Sequence, residues 1–156
     1  MSFPICHTDP LDANDASAKA TPGMLYSFKG DIYRYGQFKD AVTYVAGHVL
    51  TFAAADATAF TNDRSGGSSV GNAPAGVAVR VMTQDYYGYS LVNGYYSAVV
   101  TNGDDDIAAG VPLIVATGAD GACDSAADPN PSLHFGDSLA ADDNAADTVA
   151  AIVRCM

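Results

Sequence analysis

The stretch of residues 75–100 constrains the fold most, because turn residues divide it into short apolar and aromatic runs, and in the first of these runs Val77, Val79 and Val81 recur at every second position. Such alternation turns one face of an extended strand toward an apolar core. The stretch divides into three runs, at residues 77–82, 86–92 and 95–100. Between the last two lies Asn93-Gly94, a pair typical of a two-residue hairpin because both residues tolerate a positive φ. The pattern therefore predicts an antiparallel meander of three strands.

The acidic residues indicate that the rest of the chain is also built from strands and turns. All 18 are aspartates, which favour turns and caps, and the helix-favouring glutamate does not occur. Period-two alternation begins at residue 24 and continues to Tyr44 with breaks at Gly30-Asp31 and Gly36, and further strands are predicted at residues 48–52, 111–116, 133–135 and 149–154. A short helical turn fits at residues 12–20 and a short helix at residues 53–59. We therefore predict an all-β fold, a small antiparallel β-barrel or sandwich with an extended N-terminal arm.

The 156 residues are about the length of one domain. Residues 1–23 contain three prolines and no sustained apolar period, so we predict that they form the arm. Residues 24–156 are predicted to form a single β-barrel-like domain. Within the arm, Phe3 and Ile5 are the apolar residues that a partner surface could hold.

Charge and hydropathy restrict the partners. The formal net charge of −11 repels phosphate groups, so we expect no nucleic-acid partner. No apolar run approaches the 18 residues that a membrane helix needs, and the N-terminus has no secretory signal pattern, so we expect a cytosolic product that does not bind membranes. Three widely spaced cysteines, Cys6, Cys123 and Cys155, fit reduced thiols better than a disulfide framework or a zinc site.

The residues that could carry catalysis are scattered. His7 lies in the arm, while His48 and His134 lie at or within predicted strands, and no G-x-S-x-G elbow accompanies them. The run Asp104-Asp105-Asp106 lacks the alternating oxygens and the distal acid of a calcium loop, so we interpret it as a solvated turn. We predict that the chain is not an enzyme, with no catalytic residues, no metal ligands and no cofactor.

The tyrosines of the 86–96 stretch are the best candidates for a binding surface: Tyr86, Tyr87, Tyr95 and Tyr96, with Tyr89 between them. They could hold a small ligand. Cross-strand aromatic packing or a subunit interface explains them more simply, because partners in a sheet place such rings within contact distance.

Several short segments follow one another in an order found in a known family. They are Val45-Ala46-Gly47-His48-Val49, Ala75-Gly76-Val77-Ala78-Val79, Tyr87-Gly88-Tyr89-Ser90-Leu91-Val92-Asn93-Gly94, Ala108-Ala109-Gly110-Val111-Pro112-Leu113 and Phe135-Gly136-Asp137-Ser138-Leu139-Ala140. In this order they resemble the capsid decoration (cement) proteins of tailed phages, over residues 26–154.

The resemblance implies a virion protein on the capsid surface, made in the host cytoplasm, that binds the outside of the phage head and stabilises it. Its partner would be the major capsid protein, and it would form a homo-oligomer, with a trimer favoured. Phe3, Pro4 and Ile5 would then dock the arm on the capsid, and Tyr86, Tyr87, Tyr95 and Tyr96 would form a subunit or capsid interface. The alternatives are a phage tail or fibre protein and, from another class, a secreted or periplasmic small-ligand-binding or hydrolytic β-protein.

Overall fold

The computed structural model describes residues 9–39, 43–53, 56–63, 73–103, 107–116, 118–125, 133–142 and 148–155. These residues form one 3-10 helix, Pro10–Asp12, and ten strands. The strands are β1 (Leu25–Phe28), β2 (Asp31–Phe38), β3 (Val49–Ala53), β4 (Asp56–Thr61), β5 (Pro74–Ala78), β6 (Tyr87–Val100), β7 (Pro112–Val115), β8 (Cys123–Ser125), β9 (His134–Ser138) and β10 (Thr148–Arg154). The predicted all-β fold class is confirmed. No helix among the described residues is long and apolar enough to cross a membrane.

The first half of the sheet closes on itself. The strands pair in the order β2-β4-β3-β5-β6, and β6 pairs again with β2. All of these pairings are antiparallel except that of β2 with β4, which is parallel. We call this arrangement the first ring. Strand β1 pairs with the N-terminal half of β2.

The second half of the sheet forms another loop of strands around the same central strand. From β6 the order continues β10-β9-β7-β8, in antiparallel pairs. A parallel bridge between Thr101, which follows β6, and Cys123 of β8 connects the last strand of this series back to the end of β6. The Asn102 amide donates to the Cys123 carbonyl there, at 3.0 Å. We call this arrangement the second ring.

Two hydrophobic clusters support the rings. Side chains of four first-ring strands converge in a small cluster that contains Phe38, Leu50, Phe60 and Ala78, where the rings of Phe38 and Phe60 meet edge to face at 5.1 Å. A larger cluster joins tyrosines of β2 and β6 to aliphatic and aromatic residues of the second ring, among them Leu113, Phe135, Val149 and Val153. Because the larger cluster draws on both rings, the two rings share one core.

Strand β6 contradicts the predicted meander. Its fourteen residues run without reversal through Asn93-Gly94. Up to Asn93 the strand pairs with β2, and from Asn93 onward it pairs with β10. Gly94 has a φ of 143°, whereas Asn93 does not have a positive φ, and a type I′ hairpin needs both residues there. The prediction of a hairpin was wrong because the continuous strand satisfies its backbone on two different partners.

The short helix expected at residues 53–59 is also wrong. Residues 56–61 form β4, which pairs with β3 on one side and with β2 on the other. Buried Ala59 and Phe60 give this strand its packing, so tertiary contacts outweigh the helix propensity of its alanines. Strand β5 ends at Ala78, four residues before the end of the run predicted at 77–82.

Part of the predicted arm lies against the sheet. Ala13 is fully buried, and Asp15 forms a two-way backbone bridge with Tyr87, with N–O distances of 2.9 and 2.8 Å. The Lys19 amide donates to the Tyr35 hydroxyl at 2.9 Å. The Asn14 side chain exchanges hydrogen bonds with Thr83. We call residues 9–23 the strap.

Candidate interaction surface

Among the described histidines, His48 is held by contacts within the fold. His48 is half-buried at the start of β3, where the Asn62 side-chain nitrogen lies 2.9 Å from its Nδ1. Burial lowers the pKa of His48, and nearby Asp120 opposes that effect. No three His, Cys or Asp side chains within the described ranges come together as a metal-binding group. His7 and Asp104-Asp105-Asp106 lie outside the described residues.

The described cysteines are buried thiols. Cys123 lies within the second ring, and burial, with a smaller effect of Asp124, raises its pKa to about 12. Burial also raises the pKa of Cys155 to about 12. A nucleophilic cysteine needs a lowered pKa and access to solvent, and these two thiols have neither.

Two of the four candidate tyrosines lie where the strap crosses the sheet. Tyr87 stacks on Tyr35 with the ring centroids 6.1 Å apart, and its backbone bridges to Asp15 of the strap. Tyr86 is half-buried, and its carbonyl accepts from the Phe38 amide at 2.9 Å. Both residues therefore contribute to contacts within this chain.

The other two tyrosines point to opposite faces of β6. Tyr96 is half-buried and packs against the larger core cluster, and this burial raises its pKa. Tyr95 faces outward with 54% of its surface exposed. Neighbouring residues in a strand alternate between faces, so the structure cannot bring Tyr95 and Tyr96 to one surface.

Tyr95 belongs to an apolar surface that crosses four strands of the second ring. It is directly opposite Ile152 of β10, Ile152 is opposite Asp137 of β9, and Asp137 is opposite Pro112 of β7. Residues paired in this way project from the same face of a sheet. The next row contains Leu139, 50% exposed, whose amide donates to the Ala150 carbonyl at 2.7 Å. We call this surface the outer patch: Tyr95, Pro112, Asp137, Leu139, Ala150 and Ile152.

One ion-pair system crosses the outer patch. The Arg154 guanidinium lies 2.5 Å from Asp137 Oδ2, and His134 Nε2 lies 3.5 Å from Asp137 Oδ1. The Arg154 side chain is 59% exposed, so solvent screens the pair with Asp137 and its contribution to folding stability is small. Its main effect is to neutralise the only carboxylate of the patch.

Sequence reasoning identified Tyr95 but missed Leu139 and Ile152. Ile152 carried no signal in the sequence, because its strand is apolar from Val149 to Val153 and the strict alternation of residues 148–154 exists only in their burial. Leu139 carried no signal either, since it follows the end of β9. Phe3, Pro4 and Ile5, the predicted arm contacts, lie outside the described residues.

Comparison with known proteins adds a likeness in fold. No protein-family model matches this sequence, and no curated protein does either. The chain is similar in structure to the N base of the head fibre gp8.5 of bacteriophage phi29, with a TM-score of 0.52. The likeness covers 78% of this chain and 93% of the phi29 chain at 17% sequence identity. At this identity it establishes a shared fold.

Proposed function

We propose that the chain is a structural protein of a phage virion that binds the outer surface of the head, without enzymatic activity. The observation that carries the proposal is the fold in common with the base of a head fibre, over most of both chains. The order of the sequence segments that resemble decoration proteins supports the same role independently. The proposed partner is the major capsid protein.

The physical character of the surface suits this role. A protein that decorates a shell needs many weak, repeated contacts instead of one preorganised cavity, because avidity supplies the strength. An acidic surface with a net charge of −11 keeps such a protein soluble and steers it toward neutral or basic surfaces. The carboxylates that remain outside the outer patch are the charges available for this steering.

The direct experiment uses heads of the phage that encodes the chain, prepared without this protein. We expect the purified chain to sediment with these heads at a saturating, fixed ratio and to protect them against heat. Purified tails from the same phage serve as the control. Binding to tails alone, or no binding to heads, would contradict the proposal.

A second candidate is the base of a head fibre, which the phi29 likeness favours directly. Electron microscopy of the reconstituted heads separates it from decoration. A decoration protein gives compact density at the head surface, whereas a fibre base gives compact density from which a filament extends in intact virions.

The arm hypothesis is tested on the same heads. We propose that Phe3, Pro4 and Ile5 contact the capsid, and the test is deletion of residues 1–8 alone, because residues 9–23 contact the sheet. The expected result is weaker binding to heads with an unchanged melting temperature. Unchanged binding would show that these three residues do not dock the chain.

A further inference from the structure

The sequence contains two Asn-Gly pairs, Asn93-Gly94 and Asn102-Gly103, and the fold places them in opposite surroundings. An asparagine before glycine is the one most prone to lose its side-chain amide, because glycine has no side chain to hinder attack by its backbone nitrogen on the asparagine Cγ. The attack also requires the backbone to rotate, so the local structure decides whether it occurs.

Asn93-Gly94 is held within β6. Asn93 lies opposite Arg154 of β10, and Gly94 lies opposite Val153. A Cβ at Gly94 would overlap the Asp31 carboxylate, so the backbone is also packed from the side. The Gly94 nitrogen can reach the Asn93 side chain only after the pairing with β10 has opened, and that opening costs the free energy of local unfolding.

Asn102-Gly103 lies outside the strands, after the end of β6. Gly103 has a φ of 72°, and a Cβ there would meet nothing within 4 Å. Its amide makes no backbone hydrogen bond to another described residue, and the Asn102 side chain is partly exposed. The Gly103 nitrogen is therefore available for attack while the sheet stays closed.

We propose that Asn102 is a site of spontaneous deamidation in the folded protein, whereas Asn93 is protected. The Gly103 nitrogen forms a bond to Asn102 Cγ, the bond from Cγ to Nδ2 breaks, and ammonia leaves with the proton of the Gly103 amide. Water then adds to one of the two carbonyl carbons of the succinimide, the bond from that carbon to the Gly103 nitrogen breaks, and the nitrogen regains a proton. The product is aspartate or isoaspartate, and water is the only reagent consumed.

The reaction weakens the closure of the second ring. Asn102 Nδ2 donates to Asp124 Oδ2 at 3.2 Å, and Asp124 Oδ1 is buried without a hydrogen-bond partner, so this carboxylate depends on Asn102. Deamidation replaces the donor by a second carboxylate, which repels the first. Isoaspartate also adds a carbon atom to the backbone next to the bridge between Thr101 and Cys123.

The test incubates the full chain at mildly alkaline pH, folded in buffer and unfolded in guanidinium chloride, and follows both asparagines by mass spectrometry. Chymotrypsin cleaves after Tyr95 and Tyr96, so the two sites fall on separate peptides. We expect similar rates at both sites in the unfolded chain. In the folded chain we expect Asn102 to convert at least about tenfold faster than Asn93, because only Asn93 must wait for local unfolding. Equal rates in the folded chain, or no conversion of Asn102, would overturn the proposal.

The effect on the second ring is tested with Asn102→Gln. This variant keeps the side-chain amide and the net charge, but glutamine has to close a larger ring that forms much more slowly. After the same incubation, we expect the unaltered chain to gain a second transition at lower temperature in calorimetry and Asn102→Gln to melt as it did before. If the converted chain melts at its original temperature, deamidation does not loosen the second ring. Neither result depends on whether the chain binds phage heads.

Discussion

At the scale of single residues, three weak acids retain their protons to unusually high pH. Burial, helped by Asp31, raises the pKa of Tyr33 to about 12. Burial raises the pKa values of Cys123 and Cys155 to about 12 as well. The Tyr33 hydroxyl lies 3.4 Å from Asp31 Oδ2, so ionisation would place two negative charges side by side. All three groups are therefore neutral in the folded protein under ordinary conditions.

These residues predict that the fold loses stability in alkali. Unfolding restores ordinary pKa values of 9.0 for the thiols and 10.0 for the phenol, so the unfolded chain releases protons that the folded chain holds. Their contribution is complete below pH 9 and is lost as the pH rises toward 12. Urea unfolding at pH 8 and pH 11 measures the difference, and Tyr33→Phe should reduce it. The same stability at both pH values would contradict the prediction.

At the scale of elements, the strap packs against the sheet, although residues 1–23 were predicted to form an extended arm. Its residues bury Ala13, bridge to Tyr87 and cap the hydroxyl of Tyr35. The Arg80 guanidinium also donates to the Leu11 carbonyl at 3.2 Å. Each contact is local, but together they cover the face where Tyr35, Tyr87 and Tyr89 meet.

Deleting residues 1–20 should therefore destabilise the protein, whereas deleting residues 1–8 should not. The six lost hydrogen bonds to the rest of the chain, at about 1 kcal/mol each, correspond to roughly 6 kcal/mol, or a fall of about 12 to 24 °C in melting temperature for a chain of this size. Differential scanning calorimetry of the two truncated chains provides the comparison. If the chain that lacks residues 1–20 has the same melting temperature as the full chain, the strap is not part of the stable fold.

The elements also show where sequence reasoning succeeds. The apolar runs at residues 111–116 and 149–154 became β7 and β10 within one residue at each end, because a short apolar run is a local signal for a strand. The turn at Asn93-Gly94 did not form, because β2 and β10 compete for the same strand and are distant in sequence. The outer patch could not be predicted for a related reason, since its rows depend on the register of four strands.

At the scale of the whole molecule, the two rings share β6 and the larger core cluster. A shared strand cannot leave one ring without opening the other. We therefore expect the rings to unfold in one cooperative transition. The proposed function, by contrast, depends on surface residues that the two rings hold in place.

A substitution that destabilises the first ring should therefore also lower the urea concentration at which the second ring unfolds. A Cβ at Gly36 would lie 2.6 Å from the Thr58 carbonyl oxygen and equally close to the Phe60 ring, so Gly36→Ala should cost about 1 to 3 kcal/mol. The readout is labelling of the Cys123 thiol in the second ring, followed by peptide mass spectrometry across a urea series. The midpoint of labelling should shift together with the circular dichroism midpoint.

If Cys123 keeps its original labelling midpoint while circular dichroism shifts, the rings unfold separately. That result would place the boundary between two independently unfolding units at Asn93-Gly94, where β6 changes its partner strand.

The shared strand also bears on how the chain reaches this structure. Residues 93–100 pair with β10, which lies near the C-terminal end of the sequence, so half of β6 has no lasting partner until about fifty further residues have left the ribosome. Long-range pairings of this kind slow folding and leave strand edges open in the interval. The nascent first ring therefore carries an unpaired tyrosine-rich edge. Chaperones are expected to protect that edge until β10 has been synthesised.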